Sequence, residues 1–254
     1  MGQRSSDVVL GSLRPVGRTP RLSDRVAELM LSAILAQGLK PGSKLPSERE
    51  LGAQFGVSRT VVREATRALV AKGVLDVRPG AGLTVATADP ASVAESMNLY
   101  LRNGSIPYEN VHEVRTMIEI QVAGLAAERG TPGQVETLRL LHTRLCDLTE
   151  GTDLETLAVA DVEFHRHLAR MTGNGLHLLM LDSIGDVLLE IRRETVANRD
   201  DSLAAILAHG RILERVADRD PAGAREAMRI HLEQAFGEWD RLARPVGAVR
   251  LPVI

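Results

Sequence analysis

The residues best suited to chemistry in this chain are an aspartate and three histidines in its second half. Asp161 and His165 stand four residues apart in "DVEFHRHLA", so both side chains project from one face of a predicted helix. His209 and His231 lie in two later helical segments, "ILAHGRILERVADRD" and "AMRIHLEQAF". Neutral imidazoles and a carboxylate ligate divalent metals, and this donor set suits Zn²⁺, Ni²⁺, Mn²⁺ or Fe²⁺.

The spacing of these four residues is not that of a local metal-binding motif. Taken alone, the Asp161–His165 pair is more typical of a helix with an ordinary, partly buried histidine. The two further histidines favour a metal site, because three imidazoles and one carboxylate from three helices can converge on one cation. The residues do not choose among the metals.

The composition of the chain favours some classes of protein and counts against others. Its 254 residues are more than one small domain needs, which favours two domains. Only 2% of the residues are aromatic, which counts against single-stranded nucleic-acid binding by base stacking. The one cysteine, Cys146, excludes an internal disulfide and favours the cytoplasm. No apolar run approaches the roughly 18 residues of a membrane span, so no membrane partner is expected.

Charge is distributed unevenly along the chain. The net charge of −2 conceals a balance of +1 over residues 1–17, +5 over residues 18–87 and −8 over residues 88–254. A basic first part and an acidic second part indicate that only the first part contacts a polyanion such as DNA.

The basic part has the pattern of a winged helix-turn-helix. The segment "SERELGAQFG" begins with Ser47 three residues before Glu50, which is a capping box, and ends at a glycine. A second helix follows after a short turn, with Ser58 as the predicted N-cap. The segment "VLDVRPGAGLTV" then has β-branched flanks around a glycine-rich centre, which predicts a small β-hairpin as the wing.

Arginines on this motif are the candidate DNA contacts. Arg59, Arg63 and Arg67 recur every four residues and form a basic stripe on the second helix. The N-terminus of a helix attracts phosphate, and arginine can bind a guanine edge with two hydrogen bonds. The full predicted DNA-binding set also includes one residue near the start of the preceding helix and two in the wing, namely Arg49, Arg78 and Gly80.

The acidic part has helical periodicity almost to the end of the chain, and its helices predict an all-α bundle. We expect helices at 90–103, 109–129, 132–149, 153–172, 175–197, 201–219 and 221–243. The expected fold class is therefore mostly α, with a small β-hairpin in the first domain. The expected domains are a flexible tail (1–17), the winged helix-turn-helix (18–87), the helical metal-binding, effector-binding and dimerisation domain (88–243) and a C-terminal tail (244–254).

The stretch "LPSERELGAQFGVSRTVVREATRALVAKGVLDVRPGAGLTV" resembles the DNA-binding domain of GntR-family bacterial transcriptional regulators. In that family the arginines matching Arg49, Arg59 and Arg63, together with a wing glycine, meet operator DNA. The wing departs from the family pattern at Leu83-Thr84, where an aromatic residue is common.

The later stretches "VHEVRTMIEIQVAGLAAERG" and "ADVEFHRHLARMTGN" resemble the FCD effector domain of the FadR subgroup. Many members bind a metal through residues that match Asp161, His165, His209 and His231. The resemblance also implies that Arg115 faces a ligand cavity, although a pair with Glu119 one turn on is the alternative. A cation and an arginine together favour a small organic acid as effector.

The resemblance implies a homodimeric regulator, more often a repressor, that acts on double-stranded operator DNA in the bacterial cytoplasm, associated with the nucleoid. It is not expected to be an enzyme. Two alternatives stay open at this point. One is a metal-dependent hydrolase-like enzyme, since a metal with open positions can activate water. The other is a DNA-binding dimer whose metal is purely structural.

Overall fold

A computed structural model describes residues 21–78, 82–87, 89–104, 106–149 and 153–243. The chain divides between Asp89 and Pro90 into two compact units. The predicted tails at 1–17 and 244–254 lie outside the described residues, and the predicted domain limits remain predictions. Within the described ranges, no helix is both long and apolar enough to cross a bilayer.

The first unit is a three-helix cluster with a two-stranded antiparallel sheet. Its elements are α1 (Leu22–Ala36), α2 (Glu48–Phe55), α3 (Arg59–Ala71), β1 (Leu75–Arg78) and β2 (Gly82–Val85). The strands pair in the register Leu75 to Val85, Asp76 to Thr84, Val77 to Leu83 and Arg78 to Gly82. A small core of Met30, Val62, Leu69 and Leu75 joins α1 and α3 to the sheet.

Helix boundaries in this unit follow the predicted caps. Ser47 accepts a hydrogen bond from the Glu50 amide while the Glu50 carboxylate accepts one from the Ser47 amide, which forms the capping box of α2. Ser58 caps α3 by accepting from the Val61 amide. Gly56 ends α2 in the left-handed conformation at φ 66°, which a residue without a Cβ adopts at little cost.

The second unit is helical throughout its described residues. It contains α4 (Pro90–Asn103), α5 (Tyr108–Arg129), α6 (Pro132–Leu148), α7 (Leu154–Met171), α8 (Gly175–Asp182), α9 (Gly185–Thr195), α10 (Arg199–Ala217) and α11 (Pro221–Ala243). Helix α11 packs along α5 and α10, and α7 packs against α5, α6 and α9. Fully buried Phe164, Leu168, Ile212, Met228 and Leu232 fill the space between them.

One predicted helix is wrong. Residues 175–197 form two helices instead of one, because the chain turns at Ser183 and at Ile184, where φ is −114° and ψ is 4°. Asn98 on α4 stabilises the break: its amide donates to the Asp182 carbonyl at 2.9 Å, and its carbonyl accepts from the Asp186 amide at 3.2 Å. These groups would otherwise lose partners at the two helix ends. The break gives α9 its own direction, and α9 carries two arginines that bear on the site.

Candidate metal centre and effector cavity

The three predicted histidine ligands meet in the interior of the helical unit. His165 lies on α7, His209 on α10 and His231 on α11, and one ring nitrogen from each lies within 4.8 Å of the other two. The three side chains are 4%, 0% and 2% exposed. His209 and His231 have ring centroids 4.4 Å apart, and Phe164 packs on the His209 ring at 4.6 Å. Helix packing therefore brings together residues that the sequence separates.

The hydrogen bonding of these rings fits a bound cation. Both nitrogens of His231 and Nδ1 of His209 are buried and have no partner among the described residues. Nε2 of His165 lies 3.1 Å from Nε2 of His209, so two nitrogens that can each carry a lone pair face one another. Buried polar atoms are normally satisfied, and a divalent metal accepts several such lone pairs at once.

The histidines are not themselves protonated, so they do not take the place of the metal cation. Burial lowers the pKa of His209 to about 3; His165 and Arg192 act in the same direction, and Asp161 opposes them. Burial likewise holds the pKa of His231 well below its usual range, helped by His209 and His165. Both imidazoles are therefore neutral near pH 7, which is the form that ligates metals.

Asp161 lies at the edge of the histidine cluster. Its Oδ1 is 3.7 Å from His209 Nε2, and the same oxygen accepts a hydrogen bond from Arg192 at 2.8 Å. Burial would raise the pKa of Asp161, but the Arg192 guanidinium, with smaller effects from the neighbouring histidines and Arg115, outweighs it and lowers that pKa. The side chain is therefore an ionised carboxylate beside the three rings, consistent with the predicted fourth ligand, although the group within 4.8 Å contains only the histidines.

Glu119 was not predicted as a site residue, only as the alternative partner of Arg115. Its Oε1 accepts from Arg115 Nε at 2.5 Å, and its Oε2 contacts His165 Nδ1. Burial would raise the pKa of Glu119, but His165 and Arg115 outweigh it and bring that pKa to about 2. The spacing of Arg115 and Glu119 signals the first contact, whereas the second joins residues 46 positions apart and carries no local signal.

A cavity of about 320 Å³ opens beside the histidine cluster. Its wall includes His165, Asp161, Glu119 and two arginines, Arg115 and Arg192, with an apolar part formed by Val159, Val162, Leu181, Leu188 and Leu189. Arg115 thus both pairs with Glu119 and lines the cavity, so the two predicted roles coexist. The wall also includes Glu163, Arg166, Asp182 and Asp186. A cavity that combines an apolar part with convergent charged groups is typical of a small-molecule site.

The two arginines of α9 have opposite environments. Arg192 is buried, bonds Asp161 and Thr195, and has an Nε with no hydrogen-bond partner among the described residues. Arg193 is exposed and forms two hydrogen bonds of 2.6 Å with Glu155. The sequence did not indicate which of the two faces inward.

Glu163 is the carboxylate that the hydrolase alternative would use as a general base. It lines the cavity. Its carboxylate pairs with Arg166 and Arg170. Both guanidiniums donate hydrogen bonds to its oxygens, so the carboxylate is held in an ion-pair network at the cavity wall.

Four of the five candidate DNA-binding arginines lie on the surface of the first unit. Arg49, Arg59, Arg63 and Arg67 are all exposed, and the Arg59 side chain is 74% exposed while it pairs with Glu48 at 3.1 Å. Arg59 and Arg63 lie in the first two turns of α3, where the unpaired amides also favour phosphate. Arg78 lies at the end of β1, and Gly80 falls outside the described residues.

Both units match known families. Residues 22–85 match the model of bacterial regulatory proteins of the gntR family, and residues 110–234 match the FCD domain. The HTH-type transcriptional repressor NanR of Cronobacter sakazakii is 30% identical over 94% of this chain and 94% of its own length. The HTH-type transcriptional regulator LutR of Bacillus subtilis is 32% identical over 76% of this chain and 90% of its own.

A solved structure supports the fold. The GntR protein of Streptococcus agalactiae superposes with a TM-score of 0.56 at 24% identity, covering 84% of this chain and 97% of that protein. The chain belongs to the gntR family of bacterial regulatory proteins, and it is a DNA-binding transcriptional regulator whose second unit contains an FCD domain.

Proposed function

We propose that this regulator is a cytoplasmic homodimeric repressor that binds a divalent metal and a small carboxylate in its helical unit and changes its operator affinity in response. The observation that carries the proposal is the convergence of three buried histidines beside a cavity lined by two arginines. An FCD domain and relatives named as repressors support the same function.

The metal would be held by His165, His209, His231 and Asp161, and the donor set suits Zn²⁺, Ni²⁺, Mn²⁺ or Fe²⁺. When bound, it would link α7, α10 and α11 and offer a positive centre to an anionic ligand. The unpartnered ring nitrogens of His209 and His231 support this assignment, because each would otherwise remain buried without a bond.

The effector would bind in the cavity beside the metal. Next to the histidines, Arg115 and Arg192 balance the charges of Asp161 and Glu119, so a divalent cation would make this part of the cavity net positive. The rest of the wall is acidic, with Glu163, Asp182 and Asp186 against Arg166. Arg115 uses its Nε for Glu119, and its terminal nitrogens make no hydrogen bond within the described part of the chain. A guanidinium presented in this way can pair with a carboxylate through two bonds. The cavity volume suits a small organic acid.

Two winged units of a dimer would bind the two half-sites of a palindromic operator in successive major grooves. Arg49, Arg59, Arg63, Arg67, Arg78 and Gly80 would supply phosphate and base contacts. The effector acts only if it binds one arrangement of the dimer more tightly than another, and a coupling of about 1–3 kcal/mol is typical. That coupling corresponds to about 5–150-fold in operator affinity.

The metal assignment is tested with His231→Ala and a matched control, His167→Ala. His167 is also buried, but its Nε2 bonds the Gln134 carbonyl at 2.9 Å, so it has a structural partner. Zn²⁺ at about 100 times its dissociation constant should stabilise the wild type by about 2.7 kcal/mol. This stabilisation should appear as a Zn²⁺-dependent rise in melting temperature. His231→Ala should lose most of that rise, and His167→Ala should keep it. Equal rises in both variants would contradict the assignment.

The effector is sought with the zinc-loaded protein and a panel of small hydroxy, oxo and dicarboxylic acids. A cognate acid should raise the melting temperature and change the affinity for operator DNA, and Arg115→Gln should blunt both effects. Native mass spectrometry of the purified protein reports the dimer, the metal and any retained acid together. Binding without any change in DNA affinity would favour a structural metal. Steady metal-dependent product formation would favour the hydrolase alternative.

A further inference from the structure

One buried carboxylate connects the predicted metal ligands to the predicted effector arginine. Glu119 lies on α5, one helical turn after Arg115, and its side chain is 1% exposed. Each of its oxygens has a different partner: Oε1 accepts from Arg115 Nε at 2.5 Å, and Oε2 contacts His165 Nδ1. The two contacts use both oxygens of the carboxylate.

The contact with His165 determines which ring nitrogen carries the hydrogen. A carboxylate beside a guanidinium is ionised and offers only acceptors, so His165 Nδ1 must be the donor. A neutral imidazole has one N–H, and its Nε2 then carries a lone pair. That Nε2 lies 3.1 Å from His209 Nε2, inside the histidine cluster. Glu119 therefore presents the nitrogen of His165 that a metal needs.

His165 is distinct from the other two histidines in this respect. The Nδ1 atoms of His209 and His231 have no hydrogen-bond partner among the described residues, so no comparable contact selects their tautomers. A hydrogen bond from the remote nitrogen of a ligating histidine to a carboxylate orients the ring and raises its basicity. Among the described residues, such a carboxylate contacts His165 but neither His209 nor His231, and the same carboxylate orients Arg115.

We propose that Glu119 is a positioning residue that holds His165 in the Nδ1–H tautomer and orients Arg115, so that metal binding and effector binding are linked through one side chain. The inference rests on the proposed function, in which His165 ligates the metal and Arg115 contacts the effector. Loss of a carboxylate of this kind lowers metal affinity by about 10–100-fold.

The decisive substitution is Glu119→Gln in the full-length protein. A glutamine has one acceptor oxygen in place of two, so it cannot satisfy both the Arg115 and the His165 donors. If its oxygen binds Arg115, its NH₂ group faces His165 Nδ1 and favours the tautomer whose Nε2 carries the hydrogen. Zn²⁺ affinity, measured by competition with a chromophoric chelator, should fall by about 10–100-fold.

The matched control is Glu113→Gln, which makes the same change of charge at an exposed position of the same helix. It should bind Zn²⁺ as the wild type does. A second variant, Arg115→Leu combined with Glu119→Gln, removes the competing donor and leaves the glutamine oxygen to His165. This double variant should recover Zn²⁺ affinity relative to Glu119→Gln, which a general loss of stability would not allow.

Imidazole ¹⁵N NMR of the zinc-loaded wild type gives an independent readout that needs no variant to fold. His165 should show a protonated Nδ1 and a metal-bound Nε2. Coordination through Nδ1, or equal Zn²⁺ affinity in Glu119→Gln and Glu113→Gln, would overturn the role of Glu119. Absence of Zn²⁺ binding by the wild type would instead overturn the proposed function itself.

Discussion

The two units of this protein use arginine in opposite environments. On the winged unit, Arg49, Arg59, Arg63 and Arg67 are exposed, and Arg59 makes one ion pair at the surface. In the helical unit, Arg115 and Arg192 are buried, and each is paired with a buried carboxylate. Exposed guanidiniums keep their water until a polyanion replaces it, whereas buried ones must be compensated within the fold.

This difference teaches what each site can recognise. A surface stripe meets a large ligand with a repeated charge, and each contact contributes a modest, salt-dependent share of the affinity. An interior cluster meets a small ligand whose charge must match groups that are already oriented, since no solvent is available to compensate a mismatch. We therefore expect substitutions on the surface stripe to weaken binding without unfolding the unit, and substitutions in the interior cluster to destabilise the fold itself.

The largest effect that tests this comparison is expected for Arg192→Leu set against Arg193→Leu. The first substitution leaves Asp161 buried without its cation, and breaking a buried pair costs about 3–5 kcal/mol. The second removes an exposed pair with Glu155, which contributes about 1 kcal/mol or less. Urea denaturation with a chelator present measures both free energies of unfolding without metal stabilisation. If the two variants lost similar free energies of unfolding, the contrast between the buried Arg192 and the exposed Arg193 would be wrong.

An intermediate effect is expected for Arg63→Ala on the winged unit. Loss of a base contact costs about 1–3 kcal/mol of operator binding, and loss of a phosphate contact reduces the salt slope by about 1. The stability of the protein should not change, because the side chain is exposed. Arg139→Ala removes an exposed arginine of the helical unit and serves as the control. Fluorescence anisotropy on a selected operator at several salt concentrations gives both quantities, and equal binding by the two variants would exclude Arg63 from the interface.

The smallest effect is expected for Ser58→Ala, which removes the N-cap of α3. A lost cap of this kind costs about 1 kcal/mol. Faster amide hydrogen exchange should appear in the first turn of α3, at Val61 and Val62, while α7 in the other unit is unaffected. Thr131→Ala, which removes the cap of α6, should instead speed exchange in the first turn of α6 and leave α3 unaffected. Unchanged exchange at α3 in Ser58→Ala would show that packing alone holds the start of this helix.

Local signals predicted much of the architecture. Ser47 and Glu50 form the expected capping box, Ser58 caps the next helix, and six of the seven helices expected after residue 88 agree with the structure within two residues. Each of these features depends on side chains within a few positions of the backbone that they satisfy. The exception is the break at Ser183 and Ile184, whose partner Asn98 is more than 80 positions away in the chain.

In the interior site, too, some contacts follow from local spacing in the sequence and others depend on how the helices pack. The spacing of Asp161 and His165, and that of Arg115 and Glu119, could be interpreted from helical geometry. The contact between Glu119 and His165 could not, and neither could the burial of Arg192 in preference to Arg193, because the orientation of α9 depends on how it packs. A rotation of about 100° separates neighbours on a helix, so packing alone chooses between them.

The amino-acid sequence determined the class of each helix and strand, the exposed basic stripe and the identity of the candidate ligands, because these depend on residue type and on spacing along the chain. Tertiary structure alone decided which histidine nitrogens face one another, which arginine is buried and that Glu119 contacts two functional side chains. Those relations depend on distances between separate helices, and such distances follow from the packing of the whole core.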